Sequence, residues 1–158
     1  MAQKKCLSLP ELSETLLPFE QGDELELDEV WTFVLKRKNK VWLWLALCRR
    51  TRQIVAFALG CRGVKTCRVL WSRIPQSYKG GRCFADIWEA YARVVPAPAL
   101  EQSETYGPTN HIERFNRTLR QRMGRLTRET ASFSKSDLMH HIAIHLFIHS
   151  YNCSKVSQ

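Results

Sequence analysis

No two of the six cysteines form a Cys-x-x-Cys pair, which excludes a zinc ribbon and a thioredoxin-type redox motif. They stand at 6, 48, 61, 67, 83 and 153, several inside apolar runs where a free Cys acts as a small hydrophobe. The longest apolar run, Val41 to Cys48, is far too short to cross a bilayer. The first residues are polar and acidic, unlike a signal peptide. No internal repeat or low-complexity block interrupts the chain. These absences lead to the expectation of a reduced, cytoplasmic protein with no membrane contact. With 158 residues and 44% apolar composition there is enough for one domain with a real core and no room for a second.

Acids are scarce outside the N-terminal segment. Residues 1–29 hold eight acids against two lysines, a net −6, while residues 30–158 hold seven acids against 22 bases, a net +15. The whole chain has a formal charge of +9 and a pI near 9.5. A strongly basic body favours a polyanionic partner, nucleic acid before a membrane surface.

Residues 1–24 contain Pro10, Pro18 and Gly22 and only short apolar pairs, so they read as a loosely ordered acidic lead-in. From Leu25 to Leu35 the chain is β-branched, aromatic and roughly alternating, which predicts a strand. Lys36 to Lys40 reads as a polar turn. Val41 to Cys48 is apolar throughout, as in a strand covered on both faces. After Arg49–Arg52 comes a third strand, Ile54 to Leu59, ended by Gly60. Helices are predicted over 64–71 and 88–95, with a short strand over 82–86 between them. Ala97–Leu100 suits a brief edge strand. One helix starts near Asn110 and a last one spans 134–151, with Ser134 to Asp137 resembling a capping box. Three antiparallel strands followed by alternating α and β elements predict an α/β mixed sheet, with helices on both faces, over residues 25–155. That order is found in ribonuclease H-like domains.

Three acids stand out within this order. Asp28 lies near the start of the first strand. Asp86 ends the fourth, and functional groups of open α/β sheets gather just beyond strand ends. Glu113 lies in the first turn of the penultimate helix, alone among arginines in Asn110-His-Ile-Glu-Arg-Phe-Asn-Arg-Thr-Leu-Arg-Gln-Arg-Met123. Converging carboxylates repel unless a cation separates them, and an oxygen cage of Asp and Glu is the usual setting for Mg²⁺ or Mn²⁺. Each acid also has a plain structural reading. Asp28 could close an acidic surface run, and Asp86 could cap the helix at Trp88. Glu113 could complete a capping box begun by Asn110, or pair with Arg117 four residues on.

Five ordered blocks resemble one known family. They are Leu27-Asp-Glu-Val-Trp-Thr-Phe-Val34, Asn39-Lys-Val-Trp-Leu-Trp44, Asp86-Ile-Trp-Glu-Ala-Tyr91, His111-Ile-Glu-Arg-Phe-Asn-Arg-Thr-Leu-Arg120 and Ser132-Phe-Ser-Lys-Ser136. Together they are similar to the transposases of insertion sequence 1, in the InsB-type catalytic half encoded by the second reading frame. The resemblance implies a DDE-type transposase with a ribonuclease H-like catalytic domain. Such a domain uses divalent metal, Mg²⁺ or Mn²⁺ and two ions in the usual scheme, to cleave and join transposon DNA. By motif it assigns Asp28, Asp86 and Glu113 as catalytic and metal-binding residues, separated by 58 and 27 positions. It also implies a bacterial-type cytoplasmic protein, nucleoid-associated on DNA and a homo-oligomer there. A zinc-finger and helix-turn-helix half from the upstream frame would join by frameshifting. Three positions depart from the family pattern: Ala85-Asp86-Ile87 at the second acid, Cys61 in Gly60-Cys-Arg62, and the lack of Lys from Glu101 to Asn110.

On the penultimate helix Ile112, Phe115, Leu119, Met123 and Leu126 form one stripe, read as core. Arg114, Arg117, Arg120, Arg125 and Arg128 fall mainly on the remaining arc, where they suit contacts to DNA phosphates, sequence-independent and salt-sensitive. His141, His145 and His149 recur every four residues, but no Cys or carboxylate motif accompanies them, so packing or partner contact is expected over zinc. Trp42 and Trp44, in a strand apolar throughout, are expected to be core and not base-stacking groups. Two other functions fit the same residues: a non-catalytic DNA-binding or regulatory remnant of such an element, and a nuclease that cuts without joining.

Overall fold

The computed structural model describes residues 11–105, 107–126 and 134–157. Strands β1 (Leu25–Val34), β2 (Lys36–Cys48) and β3 (Ile54–Gly60) form the expected antiparallel meander. Helix α1 (Val64–Arg73) then crosses to β4 (Cys83–Ala85), which pairs parallel to β1. Helix α2 (Glu89–Val94) leads to the short β5 (Leu100–Gln102), parallel to β4. Helices α3 (Asn110–Arg122) and α4 (Asp137–Val156) complete the chain. The sheet order is β3-β2-β1-β4-β5, a mixed five-stranded sheet with the ribonuclease H-like arrangement.

β2 shows why its sequence is apolar at every position. Trp44, Ala46 and Cys48 point to one face, where α1 and α2 supply Cys67, Leu70, Ala90 and Tyr91. Leu43, Leu45 and Leu47 point to the other, against Ile112, Phe115 and Leu119 of α3 and Ile144 and Ile148 of α4. Successive strand residues alternate faces, so covering both demands an unbroken apolar run. Each large side chain fully buried here stabilises the fold by roughly 1.5–3 kcal/mol before entropy is counted. The predicted stripe is buried at Ile112, Phe115, Leu119 and Leu126, with Met123 packed against them. However, α3 ends at Arg122, and Leu126 reaches the core from a short 3-10 turn after it. Gly60 lets α1 approach β3, because a Cβ there would stand 2.5 Å from the Thr66 hydroxyl.

Several local expectations need correction. Lys36 to Lys40 is not a turn but the start of β2, since the hairpin reverses within one residue, Leu35, at φ 63°. Its register shifts at Phe33 and Val34, with Val34 opposite Lys36. The cap of α4 is Ser136, whose hydroxyl accepts from the Met139 N–H at 3.2 Å. Ser134 is instead buried and hydrogen-bonded to the His140 ring. Trp44 lies in the core, as expected, but Trp42 is only half-buried.

Of the segment expected to be a loose lead-in, residues 11–24 are tied to the fold. The Leu17 N–H donates to Gln53 Oε1, and Gln53 Nε2 donates to the Thr15 carbonyl. Buried Asp23 takes two hydrogen bonds from Arg50, which hold its carboxyl below the usual range. Asn152 of α4, fully buried, sits against the free edge of β3. Its Oδ1 accepts from the Ile54 N–H at 2.8 Å, and its Nδ2 donates to the Ile54 carbonyl at 2.9 Å.

Candidate active site

β1 alternates through its acidic run Glu26-Leu-Asp-Glu29, and the two sheet faces separate the three carboxylates. Asp28 and Glu26 face α3. Glu29 turns to the other face, where it accepts from the Tyr91 hydroxyl at 2.6 Å and from Arg62 Nε at 2.9 Å. Burial holds the Tyr91 hydroxyl well above its ordinary pKa, so it remains a donor. The run is therefore no solvated surface patch.

An open cleft of about 410 Å³ lies between β1 and α3, its walls including Asp28, Val30, Glu113, Asn116, Arg117 and Arg120. Asp28 forms part of one wall, half-buried, with its Oδ1 accepting the Glu29 N–H at 2.8 Å. Asn116, one turn beyond Glu113 on α3, donates from Nδ2 to Asp28 Oδ2 at 2.6 Å. The Asn116 Oδ1 is buried and has no partner among the described residues.

Asp86 stands exposed just past β4, and its carboxylate makes no hydrogen bond or ion pair among the described residues. It does not cap the following helix, which begins after Trp88 without a side-chain cap. Asp86 is not part of the cleft wall, yet its charge reaches Asp28. Burial, then Glu29, Asp86 and Glu113, push the Asp28 carboxyl up to about 7, against the Glu29 N–H. Asp86 is itself raised, first by partial desolvation and then by Glu113, against the pull of Arg62. So the structure brings Asp28 and Glu113 into one cleft and sets Asp86 within electrostatic reach of both.

The simple readings of Glu113 do not hold. Residue Thr109, not Asn110, is the N-cap of α3, and Glu113 makes no ion pair with Arg117. Its Oε1 instead accepts from the Thr109 hydroxyl at 2.9 Å. The free N–H groups of the helix end are taken by Glu26, a residue the sequence did not single out. Its Oε2 accepts from the N–H groups of His111 and Ile112 at 2.9 and 2.8 Å, and its Oε1 from Arg49 at 3.1 Å. Glu26 is completely buried; burial raises its pKa, and the Ile112 N–H and Arg49 oppose that shift. A carboxylate at a helix N-terminus also meets the positive end of the helix dipole. Glu26 thereby fixes α3, and Glu113 with it, to the strand that carries Asp28.

Arg117 and Arg120 are exposed on the cleft wall, and Arg114 is exposed on the same helix. Arg125 is half-buried on the short 3-10 turn after α3; Arg128 lies outside the described residues. His141 and His145 pack around Phe57, with ring centroids 5.4 and 6.1 Å away, a packing role as expected. Among the described residues, no three His, Cys, Asp or Glu side chains converge closely enough to hold a metal ion as placed. The donor chemistry nevertheless fits a hard cation. The negative charges of Glu113 and its neighbours raise the carboxyls of Asp28 and Asp86, and a hard cation would relieve that repulsion.

The sheet order and the helices on both its faces define a ribonuclease H-like architecture. The structure is similar to the catalytic core domain of BIV integrase, with a TM-score of 0.53 at 12% identity over 79% of this chain and 81% of that one. That likeness concerns the fold. Residues 24–153 match the IS1 transposase family model. The chain is 36% identical over 126 residues to the iso-IS1n protein InsB of Shigella dysenteriae, covering 80% of this chain and 94% of that one. It is 34% identical over 115 residues to an IS1 protein InsB of Shigella flexneri, covering 73% and 86%. The chain belongs to the IS1 transposase family and forms its DDE-type transposase domain. Among the described residues, no helix is long and apolar enough to cross a membrane.

Proposed function

We propose that this domain cleaves transposon DNA and joins it to target DNA, with Asp28, Asp86 and Glu113 as the catalytic carboxylates. The observation that supports this best is the shared cleft of Asp28 and Glu113, walled by Arg117 and Arg120, with the charge of Asp86 felt by Asp28. The three acids would hold Mg²⁺ or Mn²⁺, and two such ions supply nucleophile activation and leaving-group stabilisation in phosphoryl transfer.

The remaining residues have positional work. Asn116 holds one oxygen of Asp28, leaving its rotamer little freedom. Glu26 anchors the helix end that presents Glu113. Arg117 and Arg120 place cations beside the carboxylates, where a phosphodiester backbone gains charge-assisted hydrogen bonds. Arg114, Arg125 and Arg128 would extend that backbone contact along the DNA. The carboxylates and arginines have distinct tasks: the acids act on the reacting phosphate, and the arginines bind its neighbours. An upstream-frame zinc-finger and helix-turn-helix half would supply recognition of the transposon ends, with the protein acting as a homo-oligomer on DNA.

The test is a cleavage and strand-transfer assay on the fused protein, with and without Mg²⁺. Asp86→Asn is expected to abolish both steps while DNA binding persists. Unchanged turnover would sink the assignment. Metal-independent binding without turnover by the wild type would mark a regulatory DNA-binding product.

A further inference from the structure

The other face of the sheet has a second surface that the carboxylate cleft does not use. Trp31 of β1 and Trp42 of β2 are cross-strand partners, so their indoles stand side by side on one face. Arg62 lies over the Trp42 ring at 4.8 Å and over the Trp88 ring at 4.4 Å, bridging the two. At the outer end, Arg37 and Lys40 hover 5.8 and 5.7 Å from the centre of Trp31. The three indoles are half-buried, and the Arg62 side chain is 44% exposed.

The result is a ridge of three indoles with cations at its outer end and between Trp42 and Trp88. It begins at the exposed β1–β2 hairpin and ends at Trp88, two residues beyond Asp86. Lys36, Arg37, Lys38 and Lys40 of the hairpin are exposed, and none makes an ion pair among the described residues. Trp42 and Trp88 also pack against the core beneath them, but Trp31 belongs to neither core cluster. A half-exposed tryptophan with only loosely held cations above it is a surface group with an available π-face. Packing does not account for it.

We propose that this ridge binds single-stranded nucleic acid, with unpaired bases on the indole and guanidinium faces and the backbone along the hairpin cations. Aromatic faces interleaved with Lys and Arg are the chemistry of sequence-tolerant single-strand sites. A duplex keeps its base faces stacked on one another and offers only phosphates to such a surface. The site deepens the proposed function and rests on it for its biological use. An unpaired strand on the ridge would have its end directed toward Asp86.

The test measures binding of a labelled oligothymidine of about 12 nucleotides, and of a blunt duplex of equal length, in chelator. Trp31→Leu is expected to weaken oligothymidine binding roughly tenfold, within the range for loss of one base–aromatic stack. Trp31→Phe, which keeps a π-face, should restore most of it, and neither change should alter duplex binding. The double variant Arg37→Gln with Lys40→Gln should weaken oligothymidine binding and flatten its salt dependence. Equal oligothymidine binding by the wild type and Trp31→Leu, or an equal loss for duplex and single strand, would overturn the proposal. Binding in chelator is read independently of turnover. An inactive wild type would therefore refute the catalytic reading and leave this result standing.

Discussion

Asp28→Asn should make the domain more stable in chelator at pH 8. Burial and three neighbouring carboxylates push the Asp28 carboxyl up to about 7, from an ordinary 3.8. The fold thus prefers its protonated form. The associated stability is fully present below 3.8 and is lost as the pH rises through 7. At about 1.36 kcal/mol per pH unit, that interval sets an upper limit of about 4 kcal/mol. Asp28 is only half-buried and solvent screens part of this, so about 2–3 kcal/mol is expected, or roughly 5–10 °C for a domain of this size. His140 opposes the trend in the raw profile. Burial pushes its pKa down to about 4 from 6.5, so its contribution is present above 6.5 and is lost as the pH falls through 4. The difference between wild type and variant removes that term. Thermal unfolding of both proteins from pH 4 to 8 should show a gap near zero at pH 4 that widens to pH 8. An Asn116 flip lets its Oδ1 accept from the new amide and leaves its Nδ2 unpaired, as it would against a protonated Asp28, so this cost cancels from the gap. A constant gap across that range would refute the claim that Asp28 is held in a repulsive field.

Glu26→Ala strips two helix N–H groups and Arg49 of their acceptor, and should cost about 3–5 kcal/mol in urea unfolding. Glu26→Gln keeps one acceptor oxygen and should lose less; equal losses would show that the charge and its hydrogen bonds are not what hold α3. Asn152→Ala leaves both backbone groups of Ile54 unpaired in a buried place, and about 2–4 kcal/mol of destabilisation is expected. Hydrogen exchange at the Ile54 amide should rise in that variant well beyond the global change. Arg117→Gln and Arg120→Gln should each reduce the slope of log affinity against log salt by about one, without changing sequence preference.

The sequence was most readable where one physical demand governs a whole segment. The unbroken apolar run of β2 implies two covered faces, and both are covered. The stripe of Ile112, Phe115 and Leu119 gives the buried side of α3 because a helix repeats regularly, whereas Met123 and Leu126 lie beyond its end. Hairpin and cap positions were less readable, since they depend on one residue or on distant ones. Leu35 closes the β1–β2 hairpin alone in a left-handed conformation, so five polar residues that look like a turn become strand. The α3 cap was misplaced because its acceptor, Glu26, lies 85 residues away from His111. Glu26 did have a visible signal: it shares strand parity with Asp28, in a strand whose faces are both occupied. Asp28 and Glu113 stood out through the blocks around them. Asn116 lay inside one of those blocks, and only its contact with Asp28 gives it a role.

Asn152 presents to β3 one donor and one acceptor, the pair that a neighbouring strand would present at that position. Unpaired strand edges invite pairing with another chain, and β3 is one of the two edges of this sheet. Its start is occupied by a side chain from the same molecule, while the opposite edge, β5, is only three residues long. Sheet-to-sheet growth between copies is therefore discouraged at both sides. Any contact between copies is then left to helical surfaces, and an open-ended sheet is disfavoured.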